Sequence, residues 1–441
     1  MILNTTALKY ISYFILFITI MSPCKAQVAY NLTVEELFSL GLKNSLEIQE
    51  AEIHKEIYES KENTAKTKRL PSLDVTLANG YLGTPTVYDK NLSYVKKPYM
   101  PKWKQNYAVD LKQPIYQGGR IKNSIKYSSI EKDIATVDFE KSKSDIKLWL
   151  INNYLELFKL YKQREVFEKT IDEANKRLKN IKNLKRQGIV TNNDVLRSEI
   201  EVSNFQLSLE EANNDISLTS QQLDIILGLN EEIILIPDST LLDLDLFLAS
   251  EETYLEQAYK KYPDLKKSNF NIEKAEIEKK ISESKYIPNL NLNVGSQLIR
   301  PITTVSPVQD LYMNSWGVTL GVTYDLFSWF DYKHTKYQSN KNVELQENRK
   351  RQIEQEIRVN IKSAYIKHMQ ALNRVKVLEK TVIQAKDNYR ITKNKYFNQL
   401  AILTDLLDAA SVQLDAELQL TVAKANTIYT YYSLLHTSGN L

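Results

Sequence analysis

Apolar residues recur every three or four positions over two long stretches of this 441-residue chain. In the first, Ile146, Leu150, Tyr154, Leu157 and Tyr161 step by four and three, and Val202, Phe205, Leu209, Ala212 and Ile216 continue the rhythm. In the second, Leu407, Ala410, Leu414, Leu418, Thr421, Ala425 and Ile428 do the same. That period predicts helices with a narrow packing seam. The helix breakers agree. No proline lies between Pro114 and Pro237, and glycine occurs there only at 118, 119, 188 and 228. After Pro307 proline is absent and glycine occurs only at 317, 321 and 439. A helix from Arg120 to Gln187 would be about 100 Å long at 1.5 Å per residue, more than a compact domain needs, so a rod or a tube wall is expected.

A different period marks four short runs. Leu73, Val75, Leu77 and Tyr81 alternate with Asp74, Thr76 and Ala78, while Trp103, Tyr107, Val109 and Leu111 oppose Lys104, Asn106, Ala108, Asp110 and Lys112. Leu290, Leu292 and Val294 form a shorter set, and Trp316, Val318, Leu320, Val322 and Tyr324 oppose Ser315, Gly317, Thr319, Gly321 and Thr323. Strands are expected over 73–83, 103–114, 289–299 and 314–326, each with one apolar and one polar or small face. Aromatic residues at the strand ends fit membrane-spanning strands of about ten residues. A soluble sheet packed on helices would show the same alternation.

The two periods repeat as a unit. "KRLPSLDVTLANGY" (68–81) corresponds to "KYIPNLNLNVGSQL" (285–298), and "RQGIVTNNDVL" (186–196) to "NQLAILTDLLD" (398–408), which aligns Asp194 with Asp405 at an offset of 211. Each half reads helix, strand, strand, long helix, turn, long helix. The first repeat is expected over 27–228 with a helical hairpin at 120–228, and the second over 251–441 with its hairpin at 332–436. Residues 229–250 join them.

Composition narrows the setting. With 43% hydrophobic and 25% charged residues the chain has enough apolar content to fold. Its 58 basic and 54 acidic residues are spread without a basic block, which argues against nucleic acid as a partner. Lys9 followed by the apolar run Tyr10–Met21 reads as an export signal over 1–26, with Ala26 as the small residue before a cut. Lipidation of Cys24 is the alternative, although Pro23 fits that processing badly. After cleavage no cysteine would remain, so no disulfide or thiolate site is expected. His54, His334, His368 and His436 are scattered, and Gly118–Gly119 lacks the Lys-Ser/Thr ending of a phosphate loop. No metal, cofactor or catalytic constellation is expected.

An exported chain with proline-free helices favours the membrane reading of the strands. Four strands cannot close a barrel and an open edge cannot sit in lipid, so several copies would have to share one. Three copies give twelve strands and a wider lumen than two, although nothing in this step forces the number.

With "LKQPIYQGGRIKN" (111–123), its counterpart "TYDLFSWFDYKHT" (323–335), both proline-initiated strands and two helix–turn–helix tips in order, the chain resembles the TolC-like outer-membrane efflux protein family over nearly its whole mature length. The resemblance implies an α+β membrane protein: a homotrimeric twelve-stranded β-barrel in outer-membrane lipid, four strands per chain, continued by an α-helical coiled-coil barrel in the periplasm. It implies an exit duct, not an enzyme, docking through its tips on a periplasmic adaptor and an inner-membrane transporter. The tip contacts would be Gly188, Ile189, Val190 and Thr191, with Leu400, Ala401, Leu403 and Thr404. Asp194 and Tyr396 match the family's closing contact, and Asp405 and Asp408 match its narrowest ring. Ala401 stands where relatives can carry a basic partner, and Gln399 stands where the first tip has Gly188, which leaves room for a differently shaped turn.

Two readings of the aspartates stay open. A carboxylate ring would favour cations, but Asp is also a good helix cap and offsets the macrodipole in a first turn. Asp405 has the repeat partner Asp194 and a shared capping role explains it; Asp408 aligns with Arg197, so capping does not explain it. A periplasmic coiled-coil structural or adaptor protein is the alternative to a duct.

Overall fold

Glycine and proline cut this chain where its periods change, and the elements follow. The computed structural model describes residues 29–238 and 248–441. In order these are β1 (Ala29–Leu32), α1 (Val34–Asn44), α2 (Leu46–Thr67), β2 (Ser72–Tyr81), the short strands β3 (Val87–Tyr88) and β4 (Tyr94–Lys96), and β5 (Trp103–Gln117). The first long hairpin follows as α3 (Arg120–Arg186) and α4 (Asn192–Leu227). Then come β6 (Ile234–Pro237), α5 (Glu251–Lys261), α6 (Pro263–Glu283), β7 (Asn289–Arg300) and β8 (Met313–Thr323), and the second hairpin, α7 (Tyr332–Phe397) and α8 (Leu403–Thr437). The expected export signal and part of the joining segment lie outside the described residues. The last strand ends earlier than the alternation suggests, because Phe327–Phe330 winds into a 3-10 turn before α7.

Compactness does not follow the repeats. One unit takes in residues up to Gln49, Ser142–Ala258 and Val359–Leu441, and the other Glu50–Lys141 and Tyr259–Arg358. Each therefore draws on both halves of the sequence.

The second unit holds one antiparallel sheet in the order β2-β5-β7-β8, so β2 and β8 are its edges. Register lines up the two faces. Leu73 pairs with Leu111, Leu111 with Val294 and Val294 with Val318, an apolar row across all four strands. One residue along, Asp74, Asp110, Gly295 and Gly317 form a row on the opposite face. A Cβ at Gly295 would lie 2.8 Å from Asp110 Oδ1, so a side chain there would make that carboxylate shift. The apolar face is bare, with Leu77 74% and Trp316 78% exposed, an arrangement that water penalises and lipid does not. Tyr81 and Trp103 meet edge-on at one end of this face, 5.9 Å between ring centroids. The turn after β8 exposes Leu326, Phe327 and Phe330.

The glycine pair in "YQGGR" makes the change from strand to helix. Gly118 and Gly119 both have positive φ, 59° and 81°, and a side chain at Gly118 would collide with Ile287 and Ser284. Backbone geometry and close approach both demand glycine at 118. The second repeat makes the same change without glycines. There Tyr286 Oη donates to Asp331 at 2.8 Å and Lys285 Nζ pairs with the same carboxylate at 2.9 Å. The Lys285 ammonium and the Tyr286 hydroxyl hold the Asp331 carboxyl below the usual range.

In the first unit β1 pairs in parallel with β6. Tyr154, fully buried on α3, fastens this ribbon: its hydroxyl donates to Leu32 O and accepts from Asp238 N, each at 2.7 Å. Burial pushes its phenol up to about 12. Ile146, Leu150, Tyr154 and Leu157 on α3 and Val202, Phe205, Ala212 and Ile216 on α4 are buried. On α8 the buried ridge is instead Leu403, Leu406, Ala409, Ala416 and Ala423. Of the expected seam, Ala425 and Ile428 are buried, while Leu407, Ala410, Leu414, Leu418 and Thr421 are only half-buried in the single chain. A helix apolar on two flanks shows one period, and the period does not say which flank is covered. Among the described residues no helix is long and apolar enough to cross a membrane.

Candidate functional site

The two hairpin turns have the same backbone built from different side chains. In the first, Gly188 takes φ 76°, its N–H donates to Lys185 O at 2.9 Å, and Ile189 N–H reaches back to Leu184 O at 3.0 Å. In the second, Gln399 takes φ 61°, and the matching bonds run from Gln399 N to Tyr396 O at 2.9 Å and from Leu400 N to Lys395 O at 2.8 Å. This is the left-handed helix stop, normally a glycine position. The turn at Gln399 is thus not differently shaped, because the bonds to the last-turn carbonyls impose the conformation on glutamine.

Helix starts diverge further. Thr191 caps α4: its Oγ1 accepts from Asp194 N at 3.3 Å, while the Asp194 carboxylate accepts from Thr191 N at 2.9 Å and Thr191 Oγ1 at 2.8 Å. Ile402 occupies the same place before α8 and has no oxygen to offer. Only half of the exchange remains, Ile402 N donating to the Asp405 carboxylate at 3.3 Å. Asp405 is therefore engaged as a cap. Asp408, one turn further on, is exposed and has no hydrogen bond or ion pair among the described residues.

Beneath both turns lies one apolar cluster: Ile181, Val195, Tyr389, Tyr396, Leu403, Leu406 and Ala409, with Val190 and Ala401 packed against it. This distribution sorts the expected contact residues. Ile189 and Leu400 are exposed, 43% and 76%, and Gly188, Thr191 and Thr404 are exposed as well. Leu403 is 4% exposed, so it shapes the tip from within and offers no contact face. Its neighbour Ile402 is 65% exposed. Sequence reasoning passed over Ile402, though an isoleucine at a cap position was the available signal.

Tyr396 is 6% exposed, and its hydroxyl is buried without a hydrogen-bond partner. Burial first, and the nearby Asp194 charge second, push its phenol upward. The tyrosine and the aspartate expected to form a closing contact are thus neighbours inside one chain without a hydrogen bond between them.

Polar links tie the helices at this end. Arg177, 4% exposed, pairs with Glu201 across the first hairpin and donates from Nη1 to Tyr389 Oη of the second hairpin at 3.1 Å. Burial raises the Glu201 carboxyl against the opposing pull of Arg177. Lys182 and Glu199 pair at 2.7 Å on the surface. Arg197 Nη1 donates to Thr404 Oγ1 at 3.1 Å, joining the two tips. Arg197 was legible in the sequence only as the residue that breaks the repeat at Asp408. Among the described residues no group of His, Cys, Asp or Glu is placed to hold a metal ion.

A family model described as outer membrane efflux protein matches residues 37–229 and 254–440. Solved structures share the fold at low identity. The outer membrane protein VceC from Vibrio cholerae is 14% identical with a TM-score of 0.74, over 92% of this chain and 96% of that one. CusC, a transmembrane channel, is 11% identical with a TM-score of 0.76, over 94% of each chain. The Campylobacter jejuni CmeC outer membrane channel is 16% identical with a TM-score of 0.69, over 92% of this chain and 85% of that one. No curated protein sequence matches the chain.

Proposed function

Because this chain belongs to the outer membrane efflux protein family, we propose that three copies of it assemble into one duct whose twelve strands close a barrel. The protein is an outer-membrane exit duct for efflux, with its helical part in the periplasm. The reading as a periplasmic coiled-coil structural or adaptor protein gives way to it. The observation that carries a barrel shared between copies is the open sheet: an exposed apolar face and two unpaired edges, β2 and β8. Unpaired backbone groups are untenable in hydrocarbon, so edge must meet edge between copies. Strands alternate in direction from β2 to β8, and the β2 of a neighbouring copy then continues the alternation.

The duct is passive and takes its cargo from an inner-membrane transporter through a periplasmic adaptor. The exposed Ile189, Leu400 and Ile402 are the contact points offered to that adaptor. The hairpin tips form the narrow end. Asp194 and Asp405 serve first as helix caps, Tyr396 packs beneath them, and Asp408, with its carboxylate free, lines the constriction. The chain is read as two repeats, 27–228 and 251–441, joined by the segment between them.

The purified protein should run as a heat-resistant oligomer from the outer-membrane fraction and conduct ions in planar bilayers. Cation block of that conductance should weaken in Asp408→Ala and persist in Asp405→Ala. A soluble monomer would sink the duct, and block unaffected by Asp408→Ala would sink the ring.

A further inference from the structure

A basic group stands beside the acidic one at the tip. Arg197 lies 211 positions before Asp408, so the repeat places a guanidinium and a carboxylate at equivalent sites of the two hairpins. The structure brings them onto one surface. Arg197 Nη1 reaches Thr404 Oγ1 at 3.1 Å, and Thr404 precedes Asp408 by four residues, which puts both on the same face of α8. Arg197 and Asp408 are both exposed, and neither is in an ion pair among the described residues.

We propose that Arg197 is a selectivity-determining residue of the duct, the fixed positive charge that offsets Asp408 at the tip. The inference rests on the reading of the tip as the constriction. Thr404 is a neutral acceptor, so it positions the guanidinium without cancelling its charge, as a carboxylate partner would. Thr404, which holds the guanidinium, and Asp408 are one helical turn apart on α8, a spacing below the Debye length of about 8 Å at physiological salt, so a passing ion is expected to feel both charges. Arginine stays charged throughout the accessible pH range, and the offset is therefore permanent. Three copies would set three positive and three negative groups around one lumen. Small cations and anions would then pass with little discrimination, where carboxylates alone would select cations.

The assembled channel, reconstituted in planar bilayers, tests this by its reversal potential in a KCl gradient and its block by Mg²⁺. R197A should become selective for K⁺ over Cl⁻ and be blocked at roughly tenfold lower Mg²⁺, as expected when one of two opposed charges at close range is removed. D408A should shift the reversal potential the opposite way. R197K, which keeps the charge and loses the planar fork, should behave like the parent channel and so separates charge from packing. An R197A channel with unchanged reversal potential and block, alongside a responsive D408A, would overturn the proposal. So would an R197K channel that behaves like R197A. If neither R197A nor D408A moves either quantity, the tip is not the constriction and the inference falls with that reading.

Discussion

The two helical hairpins carry the same backbone plan, offset by 211 residues, and reach it by different chemistry. Gly188 and Gln399 share one left-handed stop, Thr191 and Ile402 one cap position, Asp194 and Asp405 one first-turn carboxylate, and Gly228 and Gly439, with φ 68° and 73°, one end to the returning helix. The first hairpin meets each local requirement with the residue that suits it. The second meets several through tertiary packing, with Leu406 fully buried where the first has Val195. Local propensity and core packing are interchangeable sources of the same turn. The exchange reverses near the other end of the returning helix. There the second hairpin has Leu435 where the first has Asp224, a buried carboxyl with neither oxygen hydrogen-bonded.

If the second tip depends more on packing, Leu406→Ala should be the most damaging change, costing about 2–5 kcal/mol as a large-to-small core substitution. Val195→Ala should cost clearly less. Amide hydrogen exchange across residues 395–410 and 184–198 in the assembled protein would show it, and equal losses would break the comparison.

Next in size is Asp224. Burial, with Glu231 second, pushes its carboxyl up to about 6. The folded chain then holds this proton more tightly than the unfolded chain does. The resulting stability is fully present below the unfolded value near 4 and is lost as pH rises through about 6. Asp224→Asn should stabilise the end of α4 at pH 7 by about 1–2 kcal/mol and flatten that part of the pH dependence. Thermal melts of the two proteins between pH 4 and pH 8 would diverge as pH rises; parallel curves would refute it.

The stop residue comes third. A non-glycine side chain in the left-handed region costs on the order of 1 kcal/mol, so Gln399→Gly should slow exchange at the second tip while Gly188→Gln speeds it at the first. The smallest effect concerns the caps. Ile402→Thr should complete the capping exchange with Asp405 and add about 0.5–1 kcal/mol, and Thr191→Ala should remove about as much from the first tip. Nuclear magnetic resonance or exchange readout of the Asp405 and Asp194 amides distinguishes the two, and no gain at Ile402→Thr would mean that the turn leaves no room for the hydroxyl.

Much of this molecule was determined by sequence alone: four strands from period two, two long hairpins from three- and four-residue steps, the first turn from Gly188, and the second from the repeat that aligns Asp194 with Asp405. These features are local or translational, and a chain records them directly. Only the tertiary structure decided which flank of α8 is buried, that Leu403 faces inward and Ile402 outward, that Gln399 adopts a glycine conformation, and that Asp405 is engaged while Asp408 is free. It also brought Arg197 to Thr404 across 207 residues. The physical reason is that periodicity specifies a residue's angle about its own helix axis. It does not specify what stands at that angle, and burial, hydrogen-bond partners and the field at a lumen depend on what does.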